Sequence, residues 1–173
     1  MSNGYERAKA GRNWLERLGE KIPGFGGFRD RELRRDVDKL EREHLARELG
    51  RAKDALRSKA RAYTDAGAIA ALTPFERIER RLDGLALSIR FADYGASGFF
   101  DAVKIREAEL DRLYEFDLGL TDDITLLAAS VIAIPEPGGD PADALTTLAN
   151  RVAALESEWA KREGIVNGLV EPA

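Results

Sequence analysis

The chain has 173 residues, of which 44% are hydrophobic and 34% charged, with a net charge of −4 and no cysteine. That apolar share excludes a wholly disordered polymer. The missing cysteine excludes disulfides, thiolate metal sites, iron–sulfur clusters and cysteine nucleophiles. Length favours one domain with a real core, and the excess of Ala, Leu, Arg and Glu over Pro and β-branched residues favours helix. Charge is uneven: residues 1–65 hold 17 Lys/Arg against 12 Asp/Glu, and the remainder is acidic. Such asymmetry points to an anionic partner for the first third or to pairing of the two halves.

The N-terminal residues lack the basic-then-apolar pattern of a signal peptide. A first helix is expected from about Tyr5 to Lys21, with Trp14, Leu15, Leu18 and Ile22 at helical spacing. Pro23 and the glycines at 24, 26 and 27 then break it, leaving a hinge that carries Phe25 and Phe28. Residues 1–28 therefore form a first unit, ahead of a helical bundle over 29–164 and a tail over 165–173.

The second helix is expected over about 29–64. Leu33, Val37, Leu40 and His44 recur along it, and after a slip of register so do Leu45, Leu49, Ala52, Leu56, Ala60 and Tyr63. At about 1.5 Å per residue it would reach roughly 54 Å, more than a compact domain of this size. Part of it should project or pair with another chain, with Leu33, Val37, Leu40, His44, Leu49 and Leu56 as the interaction seam.

Thr73-Pro74-Phe75-Glu76 reads as a capped helix start. Phe75, Ile78, Leu82, Leu85, Ile89 and Ala92 make its apolar stripe, Leu87, Phe91 and Tyr94 add a second face, and Gly95 and Gly98 end it. A fourth helix follows from a cap at Ser97 or Asp101 to about Asp117. Thr121 caps a fifth, the apolar one; its run from Ile124 to Ile134 is too short to cross a bilayer. A loop from Pro135 to Pro141 closes with its own cap and first-turn proline. Leu145, Leu148, Val152, Leu155 and Trp159 then stripe a last helix ending near Gly164. The expected fold is all-α, a helical bundle with one overlong, partly projecting helix.

Site chemistry is sparse. Glu41 and His44 stand at the Glu-x-x-His spacing of di-iron bundles, but His44 is the only histidine, so one chain cannot complete such a site. The glycines at 24–27 match neither the P-loop nor the dinucleotide fingerprint. Glu107, Asp111 and Glu115 share a helix face interleaved with Arg106 and Arg112, which reads as a solvated face. Asp117 falls on an apolar side, where a buried carboxylate needs a partner, and Arg90 is the candidate. No catalytic constellation, cofactor or metal site is expected.

The stretch Ile22 to Arg35 (IPGFGGFRDRELRR), with Tyr94 to Ile105 (YGASGFFDAVKI) and Glu109 to Asp117 (ELDRLYEFD), resembles a group of small bacterial helical proteins without an assigned activity. That resemblance implies a helical fold and carries over no functional residue. A looser similarity is to phage-shock-type, membrane-associated coiled-coil proteins, which also place a short amphipathic helix and a breaker before a long charged helix. Phe75 to Asp83 (FERIERRLD) echoes a later helix of theirs.

The reading is thus a non-enzymatic, cytoplasmic interaction or scaffold protein, acting by self-association or partner docking on its long helix. An alternative is a peripheral membrane adaptor that uses Trp14, Leu18, Ile22, Phe25 and Phe28. A further alternative is an enzyme or metal protein whose site carries no recognised motif. Nucleic acid fits poorly, because acids interrupt the basic run at 29–35.

Overall fold

A computed structural model describes the backbone of residues 34–92 and 107–169. Among these residues there are four α-helices: α1 (Arg34–Asp65), α2 (Leu72–Arg90), α3 (Glu107–Ile132) and α4 (Ala142–Leu169). No strand occurs among the described residues, and no helix there is long and apolar enough to cross a membrane. The protein is an all-α helical bundle.

Side-chain pairings fix the order of the helices around the core. Lys53 faces Asp83 and Arg57 faces Glu79, so α1 and α2 run antiparallel. Asp117, early in α3, meets Arg162, late in α4, so these two are also antiparallel. Arg81 meets Glu156 and Ser88 meets Trp159, which makes α2 and α4 parallel neighbours. Lys59, late in α1, reaches the Ile134 carbonyl just beyond α3, which makes α1 and α3 parallel neighbours. Two helical hairpins therefore pack face to face, joined along an α1/α3 seam and an α2/α4 seam.

The apolar periodicity explains the core. Phe75, Ile78, Leu82, Leu85 and Ile89 of α2 are all buried, as are Leu145, Leu148, Val152, Leu155 and Trp159 of α4. On α1 the second of the two registers wins, burying Leu45, Leu49, Ala52, Leu56 and Tyr63. Leu120, Ile124, Leu127, Val131 and Ile134 supply the fourth side.

Turn chemistry closes the hairpins. After α1, the Ala68 N–H bonds to the Tyr63 carbonyl and the Gly67 N–H to that of Thr64, the paired bonds of a Schellman cap. Gly67 has φ +74°, a conformation other residues adopt at a cost. Between α3 and α4, Asp140 accepts the Ala142 N–H at 3.0 Å, which is the cap expected there. Tyr63 anchors this loop by donating to the Pro135 carbonyl at 3.0 Å.

Several elements differ from the sequence expectation. The separate helices ending at Asp117 and starting at Thr121 are one continuous helix, α3. Thr121 does not cap; its hydroxyl donates to the Asp117 carbonyl one turn back, at 3.1 Å. Gly119 is exposed, and its cost of about 1 kcal/mol in a helix is outweighed by the buried Leu118 and Leu120 beside it. Similarly, α4 runs past Gly164 to Leu169. A 3₁₀ turn at Ile69–Ala71 feeds α2, so Thr73 lies inside the helix and gives no side-chain cap. Leu87 and Phe91 of the second apolar face of α2 are exposed, since among the described helices α1 and α4 pack on the opposite stripe; Tyr94 lies outside the described residues. Ser97 and Asp101 lie outside the described residues.

Leu49 is fully buried at the centre of the bundle. Leu49→Ala should lower unfolding free energy by about 3 kcal/mol in denaturant titration. Leu49→Asp should abolish the helical circular dichroism signal. A well-folded Leu49→Asp monomer would contradict this core assignment.

Candidate functional site

Three of the helix seams are fastened by polar links. Between α1 and α2, Lys53 pairs with Asp83 at 2.6 Å, Arg57 with Glu79, and Arg42 donates to the Arg90 carbonyl at 3.2 Å. The last contact places a cation on the C-terminal carbonyls of α2, where the helix dipole favours it. Between α2 and α4, Arg81 grips Glu156 with two nitrogens, at 3.1 and 2.6 Å, and these bonds hold the Arg81 guanidinium above its ordinary pKa. Between α3 and α4, Arg162 and Asp117 form a bidentate pair, one bond of 2.8 Å, with both residues at most 1% exposed.

The α1/α3 seam differs. At one end it is closed by Tyr63 on the Pro135 carbonyl and by Lys59 on the Ile134 carbonyl and Glu136. Below that clamp it opens into a groove of about 510 Å³, lined on α1 by His44, Leu45, Glu48 and Arg51. Thr121, Asp122, Ile124, Thr125 and Ala128 line it on α3. The floor is apolar, and the width follows from small residues on the α3 wall. Each wall carries one acid, Glu48 and Asp122, while Arg51 bonds to Glu48 at 2.7 Å on the α1 wall.

His44 stands at the lip of this groove. Burial lowers its pKa below 6.5, the charges of Arg47 and Arg51 push the same way, and Glu48 opposes them. The neutral imidazole is therefore the form the fold prefers. Glu41, one turn earlier, is 1% exposed. The sequence signal for that burial was the second register of α1, which steps back from Leu45 to position 41. Glu-x-x-His thus turns inward, but no group of three metal-ligating side chains gathers among the described residues.

Other predicted residues fall into distinct places. Leu49 and Leu56 of the expected interaction seam are core, because α2 and α3 flank that part of α1 and cover it. Leu40 is half-buried, and His44 is 8% exposed at the groove. Leu33 and the side chain of Val37 lie outside the described residues, as do Trp14, Leu18, Ile22, Phe25 and Phe28. Asp117 is buried and ion-paired, as an acid on that apolar side must be, but its partner is Arg162 and not Arg90. Arg90 is exposed, with its guanidinium over the Phe91 ring at 5.6 Å. Arg162 lies 45 positions further along the chain, within reach only because α4 folds back along α3.

The Asp117–Arg162 pair extends into a chain of contacts. The Arg162 guanidinium lies 5.1 Å from the Trp159 ring centroid, and Trp159 Nε1 donates to Ser88 Oγ at 2.9 Å. Four residues thereby tie α3, α4 and α2 together. Their arrangement is that of a structural lock.

Removing one charge strands the other in the interior. Asp117→Ala should cost roughly 3–5 kcal/mol in chemical denaturation, while Asp117→Leu combined with Arg162→Met should recover most of it. Equal losses in the single and double variants would refute the pairing. A separate expectation concerns acid. His44 binds a proton more weakly folded than unfolded, so its contribution is intact above pH 6.5 and is lost as pH falls below that value toward its lowered folded pKa. His44→Gln should flatten that part of the stability–pH profile, measured by urea midpoints.

No family model, curated protein or solved structure matches the chain.

Proposed function

We propose that the protein is a non-enzymatic helical interaction module that acts by self-association or partner docking on its long helix, through the α1/α3 groove. The observation that carries this reading is the contrast between seams. α1/α2, α2/α4 and α3/α4 are bridged by ion pairs between their helices, whereas α1/α3 is clamped at one end by Tyr63 and Lys59 and below it opens into an apolar-floored groove with charged walls. An apolar-floored groove between two helices suits an amphipathic helix laid into it, a recurring mode of peptide recognition. The docking surface is then the shoulder of α1 bearing His44, Glu48 and Arg51, since Leu49 and Leu56 belong to the core.

The test is absolute molar mass by size-exclusion chromatography with light scattering, over a range of protein concentration and salt. The protein should associate as concentration rises, and Ala128→Arg should shift the equilibrium toward monomer by about tenfold, or ~1.4 kcal/mol. Helicity should be unchanged, because Ala128 is only half-buried. Identical masses for the two proteins at every concentration would refute self-association through the groove.

A further inference from the structure

We infer that the outward face of α2 docks on the outward face of α3 of a second copy of this chain, so that copies join head to tail. This contact lies beside the α1/α3 groove and does not depend on it.

Charge selects the partner. The hairpin of α1 and α2, residues 34–92, holds 14 Lys/Arg against 10 Asp/Glu, a balance of +4. The hairpin of α3 and α4, residues 107–169, holds 4 against 13, a balance of −9. The two pack face to face, so the bundle turns a basic side and an acidic side to its surroundings. A second copy is therefore the complement, with the basic side of one against the acidic side of the next. Two identical sides brought together would oppose like charges.

Each side carries a stripe suited to contact. On α2, Arg77, Arg80, Gly84, Leu87 and Phe91 recur at steps of three and four, opposite the buried stripe. Leu87 is 50% and Phe91 69% exposed. The flanking acids are taken, Asp83 by Lys53 and Glu79 by Arg57, and Glu76 at one edge is balanced by Arg90 further along it. Arg77 and Arg80 are exposed and enter none of the ion pairs among the described residues. On α3, Leu126, Ala129, Ile132 and Ala133 are exposed, and no charged residue stands between Asp123 and Glu136. Glu136 pairs with Lys59, Asp140 caps α4 and Asp122 is engaged within the molecule, so Asp123 is the acid left at the edge of this stripe.

Spacing sets the register. Arg77 to Leu87 and Asp123 to Ile132 each cover about 14–15 Å along their helices. With the helices parallel, Arg77 and Arg80 meet Asp123 while Leu87 and Phe91 cover Ile132 and Ala133. Gly84 then falls opposite Ala129. A Cβ at Gly84 would meet nothing within 4 Å in its own chain, so packing within the fold does not call for glycine there. Glycine and alanine at mid-stripe let two helix axes approach closely. Because α2 and α3 are diagonal in the bundle, the two stripes of one copy point apart and cannot meet each other. The contact is heterologous, and its repetition makes an open chain of copies. One helix face on each side is a small interface, so assembly grows with concentration.

The test is a charge exchange in the full chain, read by light scattering over a range of protein concentration at low salt. Arg80→Glu sets an acid against Asp123, and Asp123→Arg sets a cation against Arg80. Each variant alone should raise the dissociation constant about tenfold. An equimolar mixture of the two, and the double variant, should return to wild-type association, because opposite charges then meet at every contact. Both positions are exposed, so circular dichroism should not change. A mixture as weak as the single variants overturns the inference, as does wild-type association in either single variant or a wild type that stays monomeric. Gly84→Gln, which the fold has room for, should raise the urea midpoint yet weaken association several-fold. Unchanged association in that variant also overturns the inference. Ala128→Arg alters the groove and should leave the charge exchange intact, so the docking reading above is judged apart from this one.

Discussion

The constraint on which the bundle depends is the ion pair between Asp117 and Arg162. Burying a carboxylate and a guanidinium removes hydration worth several kcal/mol per ion, and only a bidentate geometry brings most of that back. The pair therefore adds little net stability, but it makes alternatives costly. Sliding α4 by one residue along α3, or turning it by a quarter, would leave two charges in an apolar interior. Trp159 and Ser88 extend this condition to α2. The second hairpin can thus be seated on the first in one register only.

A matching clamp at the other end is neutral in its main contact. Tyr63 is 1% exposed, lies tilted against Phe75 with ring centroids 5.3 Å apart, and donates its hydroxyl to the carbonyl of Pro135. A proline-rich loop has few N–H donors and leaves carbonyls needing partners. Tyr63 and Lys59 supply donors to two of them, and so attach the α3–α4 loop to the end of α1. Between the two clamps the α2/α4 seam carries its own ion pair, Arg81 with Glu156. The α1/α3 seam is held at its end and spread below. An opening between parallel helices of different hairpins is the place where the fold is least committed, and therefore where a further helix is accommodated at least cost.

How much of this was legible in the sequence depended on how local the determinant was. The stripes of α2 and α4 step by three and four without interruption, and every residue they named is core except Ala92, which lies beyond the end of α2 and is half-buried against the core. Asp140 announced its cap because capping involves only residues next to it. The division between Asp117 and Thr121 misled for the opposite reason: Thr121 carries a helix-start signal, and tertiary burial of Leu118, Leu120 and Ile124 overrode it. The long helix misled through its surroundings. Its seam looked unpartnered because the run from Glu107 to Ile132 was read as two short helices, too short to cover it.

Asp117 marks the same boundary within one residue. Its burial was legible, since it shares a face with Leu113, Tyr114 and Leu120, and burial implied a cation. Which cation depended on topology. Arg90 precedes a crossover and ends exposed on α2, whereas Arg162 is returned to Asp117 by the α3–α4 hairpin. The groove is a product of topology in the same sense. No residue in it is unusual: a histidine, two acids, an arginine and small or aliphatic side chains. It exists because α1 and α3 lie parallel without a hairpin loop between them, and because Thr121, Thr125 and Ala128 are too small to fill the space. A sequence rule reads faces of single helices. The space between two helices joined through a third becomes visible only once their order around the core is known.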